Sequence, residues 1–246
     1  MALKMNDSTV SSILTKAAED KSVMLSRSAI SVFDAYYNRL IKYGDFVNLT
    51  AIKKEEDVAR LHFLDSLALL SFAGFKNKKV LDVGSGAGFP GIPLKIAEPT
   101  IDLTLLDATK KRVDFLDETC RELNINALCV HARAEDAALI TSELNMREQF
   151  DIVVSRAVAR LCVLCELCLP FLRVGGVFPA MKGIDSDDEV SEAHNAIKVL
   201  GAEVKCIAPY TIPGTNISHR VITIQKISQT PENFPRRFAR IEKKPL

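Results

Sequence analysis

The sequence predicts an α/β protein: a doubly wound, mostly parallel sheet with an antiparallel last strand, behind a helical N-terminal extension. Three observations predict it. From Lys79 onward, short apolar runs alternate with amphipathic stretches, the pattern of strands wound through helices. The first run, Val80-Leu81-Asp82-Val83, breaks into a turn carrying Gly84, Gly86 and Gly88. The last two runs are joined only by the loop from Pro209 to Ser218, with no crossover, so they are expected to pair antiparallel.

The elements follow in order. Residues 1–75 show no strand alternation. Ile30, Phe33, Tyr37, Leu40 and Ile41 recur at helical spacing, as do Val58, Leu61, Leu64 and Ala68. Between them, Asn48-Leu49-Thr50 reads as a turn whose polar side chains cap backbone groups. Gly74 reads as a helix stop. Strands are expected at 79–83, 102–107, 127–131, 150–154, 175–181, 203–208 and 219–226. Helices are expected at 90–97, 109–124, 134–146, 158–169 and 187–200. Pro90 suits a first turn, because its fixed φ is already helical. Residues 227–246 carry prolines and charges with little periodicity and read as an arm over the surface. The expected divisions are a helical extension over 1–75, a sheet domain over 76–227 and a basic tail over 228–246.

The bulk numbers bound the function. The 246 residues suffice for one large α/β domain with an appendage. A net charge of +1 advertises no global basic field, so any nucleic-acid contact must come from local patches. No leading apolar segment or bilayer-length apolar run is present, so no membrane partner is expected and a cytoplasmic location is. Six cysteines then read as reduced thiols rather than a disulfide frame.

The glycine turn carries the most chemistry. Glycines admit backbone dihedrals closed to other residues and let a ligand approach closely. Gly86, Gly88 and Gly91 formally satisfy the dinucleotide fingerprint. Asp82, two residues before the first glycine, would however repel a phosphate, and Pro90 removes an N–H that a phosphate would use. A carboxylate there suits a ligand with a cationic amino-acid moiety, such as the methionyl part of S-adenosylmethionine. The pattern Asp-x-Gly-x-Gly-x-Gly resembles the first motif of Rossmann-like class I methyltransferases.

Other constellations fall at strand tips. Asp107 ends the second strand, where an acidic side chain can accept from two ribose hydroxyls; the alternative is a helix cap before Thr109. Ala134 and Glu135 follow the third strand and would border the adenine, or Glu135 simply complements a helix dipole. Ser155-Arg156-Ala157 follows the fourth strand, where the reacting groups sit. Arg156 stays protonated and cannot be a base; it can hold a phosphate, a guanine edge or a carboxylate, or form a structural ion pair. No Asn/Asp-Pro-Pro-Tyr/Phe motif for an amino acceptor and no Pro-Cys nucleophile is present at this tip. Guanine N7, which has a free lone pair and needs no base, fits that absence. Cys162, Cys165 and Cys168 lack the fourth ligand of an iron–sulfur run and read as small apolar packing residues, so no metal site is expected. His62 and Asp65 stand a turn apart, close enough for a mutual contact. The tail holds Arg236, Arg237, Arg240, Lys243 and Lys244; with the clusters at 76–79 and 110–112, it suggests RNA phosphate binding against a plain solvated surface.

The segment Asp82-Val83-Gly84-Ser85-Gly86-Ala87-Gly88-Phe89-Pro90-Gly91-Ile92-Pro93-Leu94 is similar to that of the small-subunit ribosomal RNA guanine-N7 methyltransferases, also called glucose-inhibited division protein B. Asn48-Leu49-Thr50, His62-x-x-Asp65-Ser66, Leu105-Leu106-Asp107, Lys111-Arg112, Phe115-Leu116, Ser155-Arg156-Ala157 and Met181-Lys182-Gly183 extend the resemblance over nearly the whole chain. The tail pieces Phe234-Pro235-Arg236 and Lys244-Pro245-Leu246 are similar to one long-tailed branch. The chain departs from the family at Leu61, where arginine usually precedes the histidine. The resemblance implies a class I fold, S-adenosylmethionine as cofactor and a guanine of 16S ribosomal RNA, free or in the small subunit, as acceptor. It implies a cofactor site of Asp82, Gly84, Gly86, Gly88, Phe89, Asp107, Ala134, Glu135 and Arg156, with Arg156 and Lys182 near the reacting groups. His62, Asp65 and Lys182 become candidates for the RNA side, beside Arg236 and Arg237 of the tail. A monomer is expected. The rival readings are a methyltransferase on another acceptor, separated by RNA-dependent turnover, and a nucleotide-binding or nicotinamide protein, separated by methyl transfer itself.

Overall fold

Seven strands form one sheet in the computed structural model, which describes residues 8–47, 52–156 and 159–246. They are β1 (Lys79–Val83), β2 (Asp102–Asp107), β3 (Ala127–His131), β4 (Phe150–Val154), β5 (Leu172–Gly183), β6 (Ala202–Thr211) and β7 (Ser218–Lys226). Their spatial order is β3-β2-β1-β4-β5-β7-β6. The first five are parallel, and β7 runs antiparallel to both β5 and β6. From β1 the chain winds one way through β2 and β3, then returns to β4 and β5. The carboxyl ends of β1 and β4 therefore flank the switch point at which open α/β sheets bind ligands.

Ten α-helical segments accompany the sheet among the described residues. These are α1 (Thr9–Glu19), α2 (Arg27–Val47), α3 (Glu55–Asp57), α4 (Asp65–Leu67), α5 (Gly91–Ala97), α6 (Lys110–Glu122), α7 (Ala134–Ala137), α8 (Leu161–Cys168), α9 (Asp187–Val199) and α10 (Phe238–Lys243). Between α3 and α4 the chain makes a π-helical turn over Val58–Leu64.

Successive strand residues point to opposite faces. Val80, Ile152 and Val154 join a core with α1, α2, α5 and α6 that includes Leu14, Phe33, Phe63 and Phe115. Leu81, Val83, Val153 and Phe178 join a second core under α8, α9 and α10. The N-terminal helices thus share a core with the sheet. Cys162, Cys165 and Cys168 all lie in that second core on α8, and none of the six cysteines is in a disulfide.

Four expectations need correction. The buried stripe of α2 is Ile30, Phe33, Tyr36 and Leu40, whereas Ile41 is exposed and Tyr37 half-buried. The helix expected over 134–146 stops at Ala137. Leu139, Ile140 and Leu144 are exposed and Asn145 has φ +49°, so a longer helix would have had no covered apolar face and a left-handed residue inside it. The tail is more than an arm over the surface. Phe234 and Ile241 are buried, α10 packs on α8, and Arg147 donates to the carbonyls of Thr230 and Phe234 at 2.7 Å. Strand β5 also begins three residues before its expected start, at Leu172. Asn48-Leu49-Thr50 and Ala157 lie outside the described residues. No helix among the described residues is long and apolar enough to cross a membrane.

Candidate active site

The carboxyl ends of β1, β2, β4 and β5 open onto a cleft of about 840 Å³. One half is built by the glycine turn after β1 and the tip of β2. Gly84, Gly86 and Gly88 have φ of 71°, 57° and 104°, a region costly for any side chain. The turn is tied down from several sides. Gly84 N donates to Leu106 O at 2.8 Å, and Ser85 Oγ donates to Asp82 O at 2.9 Å. The Tyr36 hydroxyl of α2 donates to Ala87 O at 2.5 Å. A Cβ on Gly88 would come within 2.5 Å of that hydroxyl, so Gly88 serves packing rather than a ligand.

Asp82 lies beneath the turn and does not line the cleft. Its Oδ2 accepts from Gly91 N at 2.8 Å, and its buried Oδ1 has no hydrogen-bond partner. Burial raises its pKa to about 7 against the Gly91 hydrogen bond. Asp107 does line the cleft. Its Oδ2 accepts from Gly86 N at 2.9 Å and its Oδ1 from Thr109 N at 2.8 Å. A carboxylate offers about four lone-pair sites, so two remain for a ligand. Ala134 and Glu135 open α7 beside this half, off the cleft wall, with Glu135 buried 3.8 Å from Arg133.

The other half gathers around Arg156. Its Nη1 donates to Leu61 O at 3.2 Å, to His62 O and Ser66 Oγ at 3.4 Å, and meets Asp65 Oδ2 at 3.4 Å. Its Nη2 reaches His62 Nδ1 at 3.0 Å. The guanidinium also lies 4.7 Å from the centroid of the Phe89 ring, against which His62 stacks at 4.6 Å. The π-helical turn matters here: π turns recur at functional sites, and this one presents Leu61 O to Arg156 together with His62 O, which also accepts from Ser66 Oγ at 2.6 Å. Burial, then the positive charge of Arg156, push His62 down to about 4, so it accepts through Nδ1 as a neutral ring.

Asp65 is buried and shared: Tyr210 donates its hydroxyl to Oδ1 at 2.7 Å, and His219 Nδ1 stands 3.1 Å from the same oxygen. Lys182 lines the cleft, but its Nζ donates to Ala159 O and Glu189 Oε2, both at 2.7 Å. The structure thus brings together Gly84, Gly86, Phe89, Asp107, Arg156, His62, Asp65 and Lys182 around one cleft. It does not bring the tail there. Arg236 is held by Glu166, a fully buried carboxylate of α8, at 2.6–3.1 Å, while Arg237 is exposed. Tyr36, Tyr210 and His219 escaped the sequence reading. Tyr36 could have been found three residues after Phe33 on the buried stripe; His219 and Tyr210 carry no local motif.

The family model described as rRNA small subunit methyltransferase G matches residues 29–217. The chain belongs to that family. The ribosomal RNA small subunit methyltransferase G of Alkaliphilus oremlandii is 47% identical over 88% of this chain and 93% of its own length. The protein of the same name from Desulforamulus reducens is 42% identical over 98% of this chain and 100% of its own. Among solved structures, M. jannaschii TYW2 in complex with AdoMet is similar with a TM-score of 0.51 at 16% identity, over 64% of this chain and 73% of that one. At that identity the likeness carries the fold, which is that of a class I methyltransferase. In the rRNA small subunit methyltransferase G family, the region matched runs from α2 to the loop before β7, so it includes the π-helical turn and Arg156.

Proposed function

We propose that this protein transfers a methyl group from S-adenosylmethionine to N7 of a guanine in small-subunit ribosomal RNA. The observation that carries the reading is a cleft in two halves in which Arg156, Lys182, Asp65 and His62 are all engaged, so none of the four stands ready to take a proton from an acceptor. Arg156 and Lys182 are occupied by internal hydrogen bonds, Asp65 is shared between three donors, and His62 is held neutral by burial. An acceptor with its own lone pair suits such a site.

The residues present fit the cofactor. A Cβ on Gly86 would meet only Gly84 O, at 3.8 Å, so this glycine leaves open space on the cleft wall. Asp107 has lone pairs left for two ribose hydroxyls. Gly84 and Gly86 border the methionyl end, and Asp82 acts from beneath by fixing the turn through Gly91. Ala134 and Glu135 remain candidates for the adenine end. S-adenosylmethionine bound there supplies an electrophilic methyl on a sulfonium.

The chain's own residues then align and shield. Phe89, His62 and Arg156 form a stacked wall between the two halves, which fixes the base relative to the methyl carbon and excludes water. Arg156 positions; with its donors held by the π-helical turn and Asp65, it ties the extension over 1–75 to the tip of β4. Lys182 holds the segment after β4 through Ala159. Arg237, Arg240, Lys243 and Lys244, exposed on the tail over 228–246, suit RNA phosphates. The acceptor is the RNA or the small subunit, reached in the cytoplasm, and the protein acts on it as a monomer. The test is mass mapping of 16S ribosomal RNA from a deletion strain before and after treatment with the protein. Restored 7-methylguanine at one position supports the reading, and unchanged RNA refutes it.

A further inference from the structure

We propose that His219 faces the guanine in the acceptor half, and that its neutral ring accepts a hydrogen bond through Nε2 from the Watson–Crick edge of the base. This rests on the guanine-N7 reading above. His219 stands at the head of β7, opposite Gly183 of β5, and lines the cleft with its side chain one-third exposed. It lies beyond residue 217, where the family match ends.

The tautomer follows from its partner. Asp65 Oδ1 accepts the Tyr210 hydroxyl at 2.7 Å and stands 3.1 Å from His219 Nδ1. An ionised carboxylate only accepts, so the hydrogen between them belongs to Nδ1. The neutral ring then keeps its lone pair on Nε2. Tyr210 packs edge-on to the imidazole, with centroids 5.8 Å apart, and fixes its plane. Asp65 Oδ2 meets Arg156, so one carboxylate links the head of β7 to the tip of β4.

The sheet sets the spacing. Strands β4, β5 and β7 are adjacent, and Asp65 spans from Arg156 after β4 to His219 on β7 with its two carboxylate oxygens, at 3.4 and 3.1 Å. A purine lying across β5 with N7 toward β4 turns its Watson–Crick edge toward β7. The chemistry rewards an acceptor there. As the N7–carbon bond forms, the carbon–sulfur bond breaks and its electron pair stays on sulfur. The base takes the positive charge, and its N1–H becomes more acidic. A hydrogen bond accepted from that edge is therefore stronger in the transition state than in the ground state, which is the condition for accelerating the step.

Protonation of His219 removes the lone pair and sets a second positive charge beside the cationic base. The groups facing the ring are Asp65 from α4, Tyr210 from β6 and Arg156 after β4, with Lys182 of β5 on the same cleft wall. The Asp65 hydrogen bond raises the His219 pKa above its ordinary 6.5, against burial and the charge of Arg156. Activity should therefore fall on acidification within the near-neutral range.

The experiment is single-turnover methyl transfer to 16S ribosomal RNA between pH 5.5 and 8.5, with wild type, His219→Ala and His219→Gln. The expected result for His219→Ala is a rate lowered about ten- to hundredfold at pH 8, the worth of one hydrogen bond strengthened in the transition state. Its acid limb should vanish, with affinity for S-adenosylhomocysteine unchanged by calorimetry. His219→Gln, whose amide oxygen can accept but does not titrate, should recover part of the rate with no acid limb. A raised KM for RNA with the rate constant and acid limb intact would make His219 a phosphate contact and overturn the proposal. So would a lowered Tm with the rate and pH profile unchanged. If wild type itself forms no 7-methylguanine, the functional reading fails first, and that outcome is separate from any behaviour of the variants.

Discussion

Arg156→Ala should unfold the molecule at a markedly lower temperature, because the side chain is the joint between the N-terminal helices and the sheet. Its guanidinium is 14% exposed and Asp65 is 5% exposed. Its hydrogen bonds, at 3.0–3.4 Å, are long, and each neutral one is worth about 0.5–1.5 kcal/mol net. Removing one partner of a buried ion pair costs about 3–5 kcal/mol, because the other charge is left uncompensated. Tyr210 and His219 still serve Asp65 in the variant, which favours the lower end. At roughly 2–4 °C per kcal/mol for a chain of this size, Tm should fall by about 6–20 °C. Differential scanning calorimetry measures it, and a double-mutant cycle with Asp65→Asn isolates the pair. A fall of only about 1 °C, with a coupling energy near zero, would mean that the guanidinium is not committed to the helices. The account of Arg156 as a positioning residue would then be wrong.

His62, held near pH 4 against about 6.5 unfolded, binds fewer protons folded than unfolded between those values. Its contribution is complete above pH 6.5 and is lost as pH falls to 4, at most about 3 kcal/mol; His62→Gln should flatten the acid limb of a urea-melt series, and an unchanged limb would discount the shift. Asp82 has the opposite sign. Its folded pKa of about 7 lies above the unfolded value of 3.8, so the stability it adds when protonated is lost as pH rises through 7. Asp82→Asn keeps an acceptor for Gly91 N, so it should raise Tm at pH 8 and change it little only below about pH 4; equal effects at both would refute the burial argument. Arg236→Ala strands the buried Glu166 and should cost about 3–5 kcal/mol, whereas Arg237→Ala should leave Tm unchanged and weaken RNA binding with a flatter salt slope. The triple change of Cys162, Cys165 and Cys168 to Ala should cost stability yet leave residual methyl transfer, and stoichiometric iron or zinc in the purified protein would sink their packing role.

The sheet was legible because its signals are local. An apolar run, a glycine turn and a carboxylate at a strand tip each declare themselves within a few residues, and β1, β2 and Asp107 fell where that logic puts them. Helix α7 was less legible: the residues after Ala137 keep helical composition, but Leu139, Ile140 and Leu144 find no cover and Asn145 is left-handed. The tail failed for a related reason. Its arginines read as free charge until Glu166, seventy residues earlier in the chain, is seen facing Arg236 from a buried position.

The acceptor half was half-legible, and the division has a physical cause. His62 and Asp65 stand one turn apart and could be paired on paper, but the partners that hold Asp65 lie far along the chain. Asp65 instead joins Arg156, Tyr210 and His219, which come to it from β4, β6 and β7 across up to 154 residues of chain. Such a cluster has no sequence period, because it is assembled by the order in which strands lie and not by the order in which they are made. The inserted β7 is the decisive element: by running antiparallel between β5 and β6, it brings its first residues, not its last, to the ligand end of the sheet. A parallel strand in that position would present Lys226 there and carry His219 to the far end. The antiparallel last strand, legible from one short loop, is thus also what gives the acceptor half its second histidine.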